Sequence, residues 1–220
     1  MGQGEPGSKR RLPRAQRREQ ILAAATVAFA RAGFANTSLD DIAVEAGITR
    51  VILYRHFESK TDLYRAVLDR VCRLLAAHVG ERVGEFTEAS IDGLLAAAAA
   101  EPAGFRLLFQ HAAREPEFKA QADQFRAEIT DIAHLQIKAV VEDPAWARWA
   151  SQLTPTVAIE AVIAWLDAGQ PDPAQAADRI RSAIGGVIGA AAQSAMDHTF
   201  LVPDQPGSEG LCDDQGRPGS

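Results

Sequence analysis

The segment 37–60, TSLDDIAVEAGITRVILYRHFESK, constrains the fold more tightly than any other part of the chain. Thr37 and Ser38 are each followed three residues later by an aspartate, a spacing that predicts a capped helix start. The apolar positions that follow recur at i, i+3, i+4 and i+7, so the helix has one apolar face. Gly47 stands where this helix has to stop, because glycine adopts positive φ at little cost. The segment therefore predicts two short helices joined by a glycine turn.

The second of these helices has Thr49 as its predicted N-cap. Leu53 and Phe57 are expected to face the core, which leaves five consecutive or nearby side chains for outward contacts: Arg50, Val51, Tyr54, Arg55 and His56. In a helix-turn-helix, such a second helix lies in a DNA major groove while the first braces it. On the pattern alone, an ordinary αα-hairpin with a solvated outer face stays open as the alternative.

Residues 17–64 resemble the DNA-binding domain of the TetR family of bacterial transcriptional regulators. REQILAAATVAFARAGFANTSLDDIAVEAGI is similar to the first two helices of that domain, and TRVILYRHFESKTDLY to its recognition helix and the start of the fourth. LYRHF and SK, at 53–57 and 59–60, carry the most specific part of the likeness. The resemblance implies an all-α homodimer of about nine helices, with an N-terminal three-helix helix-turn-helix domain and a C-terminal bundle. It also implies a repressor released from a palindromic operator by a small molecule.

Two kinds of DNA contact are expected from the outward side chains. Arg50 can pair with a guanine edge and Val51 can meet a thymine methyl. Hydroxyl, imidazole and ammonium groups donate to phosphate oxygens, and helix N-termini favour anions. The predicted DNA-binding residues are Arg14, Thr37, Ser38, Thr49, Arg50, Val51, Tyr54, Arg55, His56 and Lys60.

Charge is distributed unevenly along the chain. Residues 1–60 carry ten Lys and Arg against six Asp and Glu, whereas residues 61–220 carry thirteen against twenty-three. The head is therefore net +4 and the remainder net −10, which gives the overall −6. A basic head on an acidic body is typical of a local DNA footprint and not of a general nucleic-acid binder.

Composition and turn signals predict the boundaries of four regions, and the resemblance implies the roles of the two middle ones. Residues 1–13 are expected to be a disordered basic arm, 14–60 the DNA-binding domain, 61–202 a ligand-binding and dimerisation domain, and 203–220 a disordered tail. A fourth helix is predicted from 60 to about 82. Further helices are predicted near 91–100, 102–114, 117–141, 145–168 and 173–195, with Pro155 kinking the eighth helix or marking its true start.

The resemblance places an apolar effector pocket and a four-helix dimer interface in the body. Predicted ligand contacts are Cys72, Leu75, Val79, Phe105, Leu108, Phe109, Phe125, Ile129 and Trp149. Predicted interface residues are Ile159, Val162, Ile163, Leu166, Ile184, Gly185, Ile188 and Gly189. For each apolar residue alone, packing in the protein's own core is the competing interpretation, and an internal helix contact is the alternative for the glycines.

The remaining inventory excludes several classes of protein. There is no P-loop, no serine nucleophile elbow and no H-x-x-x-H pair, so an enzyme is not expected. The two cysteines, Cys72 and Cys212, are too few for a structural zinc site, and no metal or cofactor is expected. No apolar run reaches the roughly 18 residues of a membrane helix, and a cytoplasmic location is expected. The competing function is an all-α small-molecule-binding or scaffolding protein without specific DNA binding.

Overall fold

The computed structural model describes residues 12–79 and 88–193, and that part of the chain is helical without strands. The helices are α1 (Arg14–Asn36), α2 (Leu39–Glu45), α3 (Arg50–Tyr54), α4 (Lys60–Val79), α5 (Glu88–Ala100), α6 (Pro102–Arg106), α7 (Lys119–Ile137), α8 (Pro144–Asp167) and α9 (Pro173–Ala192). The prediction of an all-α protein is confirmed. The predicted basic arm up to residue 11, the end of the fourth helix and the predicted C-terminal tail lie outside the described residues.

Helices α2 and α3 form where the capping and turn residues predict them. Ser38 caps α2 reciprocally with Asp41: Asp41 N donates to Ser38 Oγ over 3.1 Å, and Ser38 N donates to Asp41 Oδ2 over 2.9 Å. Gly47 closes the turn with φ +61°. Leu53 and Phe57 are buried as predicted, and they anchor the short α3 on α1.

The body helices start and end within a few residues of their predicted positions, with two local differences. The helix expected over 102–114 changes its hydrogen bonding, because a π-helical turn (Leu107–His111) and a 3₁₀ turn (Ala112–Arg114) follow α6. Pro155 does not start a helix, since α8 runs through it from Pro144 to Asp167. Among the described helices, none combines the length and apolarity needed to cross a membrane.

One main core runs through the chain from Ile21 on α1 to Ile180 on α9. It contains buried residues of the three N-terminal helices and of the body bundle without a break. A smaller second cluster, built largely from alanines, joins α7, α8 and α9 at Ala133, Ile137 and Ala191. The continuous core fixes the orientation of α3 relative to the bundle behind it.

Candidate nucleic-acid interface and body cavities

Helix α3 presents a mixed polar and apolar face to solvent. Leu53 is completely buried, whereas Val51 is 63% exposed and Tyr54 is 43% exposed. Arg50 and Arg55 are also exposed. An exposed valine beside two arginines can meet a thymine methyl and hydrogen-bond acceptors in a groove.

Arg50 is held in place before any ligand arrives. Its Nη1 lies 3.0 Å from Asp40 Oδ2 on α2, and its Nη2 donates to Tyr54 Oη over 3.2 Å. The guanidinium also lies 5.4 Å from the centre of the Tyr54 ring. The Tyr54 hydrogen bond, followed by the Asp40 charge, raises the pKa of Arg50. Asp40 was not among the predicted site residues, although its position next to the turn could have indicated it.

The three hydroxyl residues around the turn have different roles. Ser38 and Thr49 are exposed at helix N-termini, and Thr49 makes no side-chain cap hydrogen bond. Thr37 is only 3% exposed, and its hydroxyl donates to Gly33 O over 2.7 Å. The prediction that Thr37 holds a phosphate through its hydroxyl is therefore wrong: the side chain satisfies the end of α1.

Lys60 also turns toward the protein. Its Nζ donates to Phe34 O over 2.8 Å and to Ala35 O over 3.3 Å, and it lies 4.4 Å above the Phe34 ring. These carbonyls belong to the end of α1, after the kink at Gly33 (φ +77°). Because the ammonium already has protein acceptors, the predicted phosphate contact by Lys60 conflicts with its position.

A basic side of α1 flanks the end of the recognition helix. His56 is partly buried, and its pKa is lowered mainly by this burial and then by the charges of Arg14, Arg18 and Arg17. The guanidinium of Arg18 lies 4.5 Å over the Phe57 ring. Of these arginines only Arg14 was predicted as a DNA contact. The basic run in the sequence indicated the others, but not that the fold brings them beside His56.

The turn that follows the 3₁₀ segment connects the body to the end of α1. Glu115 Oε1 accepts a hydrogen bond from Phe34 N over 3.3 Å. Phe118 packs against Tyr64 and Phe34, with ring centres 4.3 and 5.2 Å apart. The buried Tyr64 hydroxyl has no hydrogen-bond partner, and burial raises the pKa of Tyr64. This junction was not predicted from the sequence.

Four of the predicted ligand contacts come together around one space. Leu108, Phe109, Phe125 and Ile129 line a cavity of about 190 Å³ between the π-helical turn, α7 and α8. We call this space the aromatic cavity. Its remaining lining is partly polar and includes Thr130, Gln152 and Glu160.

The other predicted ligand contacts lie elsewhere. Leu75 and Phe105 border a void of about 20 Å³, and Cys72 and Val79 pack against the main core. Burial raises the pKa of the Cys72 thiol. Trp149 is 40% exposed and stands edge-to-face with Trp146 at 5.5 Å. The prediction that Trp149 lines the same pocket as Phe125 is wrong, because its side chain faces solvent at the start of α8.

The predicted dimer residues divide between the inside and the outside of the protomer. Val162, Ile163 and Leu166 are 0–8% exposed within the main core, so their assignment to an intermolecular surface is wrong. Ile159, Ile184 and Ile188 are partly buried. On α9, a Cβ added to Gly185, Gly186 or Gly189 would meet no atom of the described residues within 4 Å, so these glycines do not serve a contact between the described helices.

The outer surface of α8 and α9 carries a shallow groove of about 390 Å³. Ala161, Ala164 and Trp165 of α8 form one side, and Ile180 and Ala183 of α9 form part of the other. Each groove residue of α8 is thus the sequence neighbour of a predicted interface residue: Ala161 precedes Val162, Ala164 follows Ile163 and Trp165 precedes Leu166. Within the described residues, no three His, Cys, Asp or Glu side chains are grouped so as to hold a metal ion.

Comparison with known proteins identifies the N-terminal region. Residues 21–67 match the family model of bacterial regulatory proteins of the tetR family. The chain is 34% identical over 128 residues to the transcriptional activator FasR of Mycolicibacterium smegmatis, covering 55% of this chain and 58% of FasR. It is 50% identical over 52 residues to the transcriptional regulator TtgR of Pseudomonas putida, covering 24% of this chain and 25% of TtgR. The chain therefore spans less than two thirds of these relatives.

Solved structures extend the likeness to the body. A TetR-like transcriptional regulator from Rhodococcus sp. RHA1 superposes with a TM-score of 0.71 at 22% identity, covering 83% of this chain and all of that one. A tetR-family regulator from Streptomyces coelicolor superposes with a TM-score of 0.62 at 23% identity, covering 82% and 84%. At these identities the likeness establishes the fold.

Proposed function

We propose that this chain is a DNA-binding transcriptional regulator and not an enzyme, because residues 21–67 match the tetR family model and the described helices share the fold of TetR-like regulators. The observation that carries the proposal is the exposed face of α3. Arg50, Val51 and Tyr54 project from a helix that Leu53 and Phe57 fix against the core. A rigidly held helix with donors and one methyl-contacting side chain is suited to reading base edges.

The proposed DNA interface contains the residues that the structure leaves accessible. Base contacts come from Arg50 and Val51, and phosphate contacts from the hydroxyls at the two helix starts and the basic flank. The set is Arg14, Ser38, Thr49, Arg50, Val51, Tyr54, Arg55 and His56. Thr37 and Lys60 support the end of α1 instead.

Fluorescence anisotropy with the DNA upstream of the chain's own gene tests this proposal. Arg50→Ala should cost about 1–3 kcal/mol on the best site and relax preference at one base pair per half-site. Arg31→Ala is the matched control, because it removes an exposed arginine that pairs with Glu45 on α2. A uniform loss on all DNA, or equal losses in both variants, contradicts base recognition by Arg50. Absence of binding at any salt concentration favours the alternative of a small-molecule-binding or scaffolding protein.

We further propose that the aromatic cavity accepts a small, mostly apolar effector that releases DNA. Support comes from its continuity with the junction to α1. Leu108 and Phe109 line the cavity, and the chain reaches Glu115 and Phe118 only a few residues later. A ligand that shifts the π-helical turn therefore acts on the Phe34 amide and the aromatic contacts of Tyr64. This route does not pass through the predicted ligand contacts Cys72, Leu75 and Val79 of α4, since they do not line the aromatic cavity.

We propose a homodimer through the outer surface of α8 and α9. The small side chains of Ala161, Ala164 and Ala183 and the open Gly186 of α9 allow close approach of a second copy. A two-fold dimer would place its recognition helices about 34–36 Å apart, in successive major grooves of a palindromic operator. The body after residue 60 would then supply both dimerisation and effector binding.

We propose that the protein acts in the cytoplasm and that it represses the genes it controls. BepR of Brucella suis is named a repressor and is 41% identical over 56 residues, whereas FasR is named an activator. A reporter gene behind the chain's own promoter distinguishes the two outputs. Repression predicts higher expression when the regulator is deleted, and activation predicts lower expression.

A further inference from the structure

A second cavity lies between α5, α7, α8 and α9 and shares no lining residue with the aromatic cavity. Its volume is about 390 Å³. Sites for drug-sized ligands typically measure about 300–1,000 Å³, so this space, which we call the distal cavity, is large enough for one, whereas the aromatic cavity of about 190 Å³ takes only a smaller molecule. Most of its lining is aliphatic and includes Ile91, Ile137, Ile184 and Ile188.

The distal cavity separates the two apolar clusters of the protein. Ile91 and Ile184 on its one side belong to or pack against the main core. Ala133, Ile137 and Ile188 on the other side belong to or pack against the second cluster. An apolar occupant would join the two clusters, because both present aliphatic side chains to the same space.

A buried hydroxyl at this cavity has no hydrogen-bond partner among the described residues. Thr154 lines the cavity and is only 5% exposed, and its Oγ1 makes no hydrogen bond within the described ranges. Buried polar atoms without a protein partner are uncommon and destabilising, and the adjoining cavity is the space from which a partner can reach this hydroxyl. A threonine hydroxyl can donate or accept, so either kind of ligand atom satisfies it.

The charges at the cavity favour an uncharged ligand. Arg181 lines it, but its guanidinium already pairs with Asp92 and with Asp178, the latter over 2.7 Å. One arginine against two aspartates leaves no excess positive charge for an anion. Val140, 62% exposed, and the exposed Gly185 mark the side where the cavity meets solvent.

We infer that the distal cavity is a second ligand site, which takes an uncharged, mostly apolar small molecule with one hydrogen-bonding group directed at Thr154 Oγ1. Occupancy would connect α5 to the outer ends of α7, α8 and α9. The inference does not depend on DNA binding or on the effector site proposed above, because the two cavities share α7 and α8 but no lining residue.

Titration with N-phenyl-1-naphthylamine tests the site on the full chain. This probe is uncharged and apolar, carries one N–H group and fluoresces when it leaves water. Thr154→Val keeps the side-chain shape and removes the hydroxyl, so it should weaken binding about three- to tenfold. Gln136→Phe fills the cavity from α7 and should abolish this binding component. Thr130→Val is the matched control in the aromatic cavity, where its hydroxyl already donates to Arg126 O over 2.9 Å.

Thermal unfolding of the free variants provides an independent readout. Thr154→Val should melt at the wild-type temperature or above it, because the lost hydroxyl had no partner in the protein. The inference is overturned if Thr154→Val and Gln136→Phe both bind the probe like the wild type. It is equally overturned if only Thr130→Val weakens binding, or if Thr154→Val melts several degrees lower in the absence of probe.

Discussion

At the scale of single residues, neighbours in the sequence determine the positions of some side chains but not of others. The exposed positions of α3 and the Ser38–Asp41 cap depend on neighbours within four residues, and the pattern predicted them correctly. Thr37 and Lys60 were assigned to phosphates because hydroxyl and ammonium groups commonly bind them. Both instead satisfy carbonyls at the end of α1, where Gly33 breaks the helix at φ +77°. Nothing near Lys60 in the sequence specifies that distant acceptor.

We expect Lys60→Met to lower the free energy of unfolding by about 1–3 kcal/mol, because it leaves the Phe34 carbonyl without a charged donor. The dependence of operator affinity on salt should stay unchanged. Urea denaturation and binding at several salt concentrations measure the two effects. A salt slope shallower by about one unit, with normal stability, would instead place the ammonium on a phosphate.

His56 should make stability depend on pH. Its folded pKa lies below the ordinary value of about 6.5, so the unfolded chain takes up this proton more readily. The stability that depends on neutral His56 is fully present above about pH 6.5. It is lost as the pH falls from there through the lower pKa of His56 in the folded protein. Thermal melts of His56→Gln should therefore lose less stability than the wild type between pH 7 and pH 5. Parallel curves for the two proteins would contradict this assignment.

At the scale of helices, sequence periodicity predicted the presence and the length of the body helices better than it predicted which side of each helix faces the core. The five body helices lie close to their predicted positions, yet Val162, Ile163 and Leu166 point into the protein's own core. Two apolar surfaces share α8, and spacing alone does not say which one is internal. Val162, Ile163 and Leu166 fill the core, while Ala161, Ala164 and Trp165 line the outer groove.

The open glycines of α9 provide the test of that outer surface. Gly186→Leu should leave the isolated protomer folded, since an added Cβ meets no atom within 4 Å. At a close intermolecular crossing, overpacking of this kind typically costs about 1–3 kcal/mol. Light scattering should show a dimer for the wild type and a folded monomer for the leucine variant at the same concentration. Gly186→Ala is the smaller control, and an unchanged dimer in the leucine variant argues against this surface.

At the scale of the whole molecule, coupling should pass through the turn between the 3₁₀ segment and α7. Glu115→Ala removes the acceptor of the Phe34 amide without touching the aromatic cavity or α3. We expect effector and operator each to bind as before when added alone, but to weaken one another less when present together. Because coupling is reciprocal, both titration orders must give the same factor. An unchanged factor would exclude this contact from the route.

The continuous core limits how chimeric proteins can be made by joining the N-terminal helices of this chain to the body of another protein. Cutting after residue 60 would strip Phe29 and Phe34 of their contacts with Tyr64 and expose the apolar surface they share. A transplanted recognition unit would also lose the ion pair of Glu19 with Arg70 on α4. A working chimera therefore has to carry the first half of α4 and a body whose turn reproduces Glu115 and Phe118. The proposed DNA-binding helices and the proposed effector-binding body can therefore be exchanged between two proteins only where these contacts are the same in both.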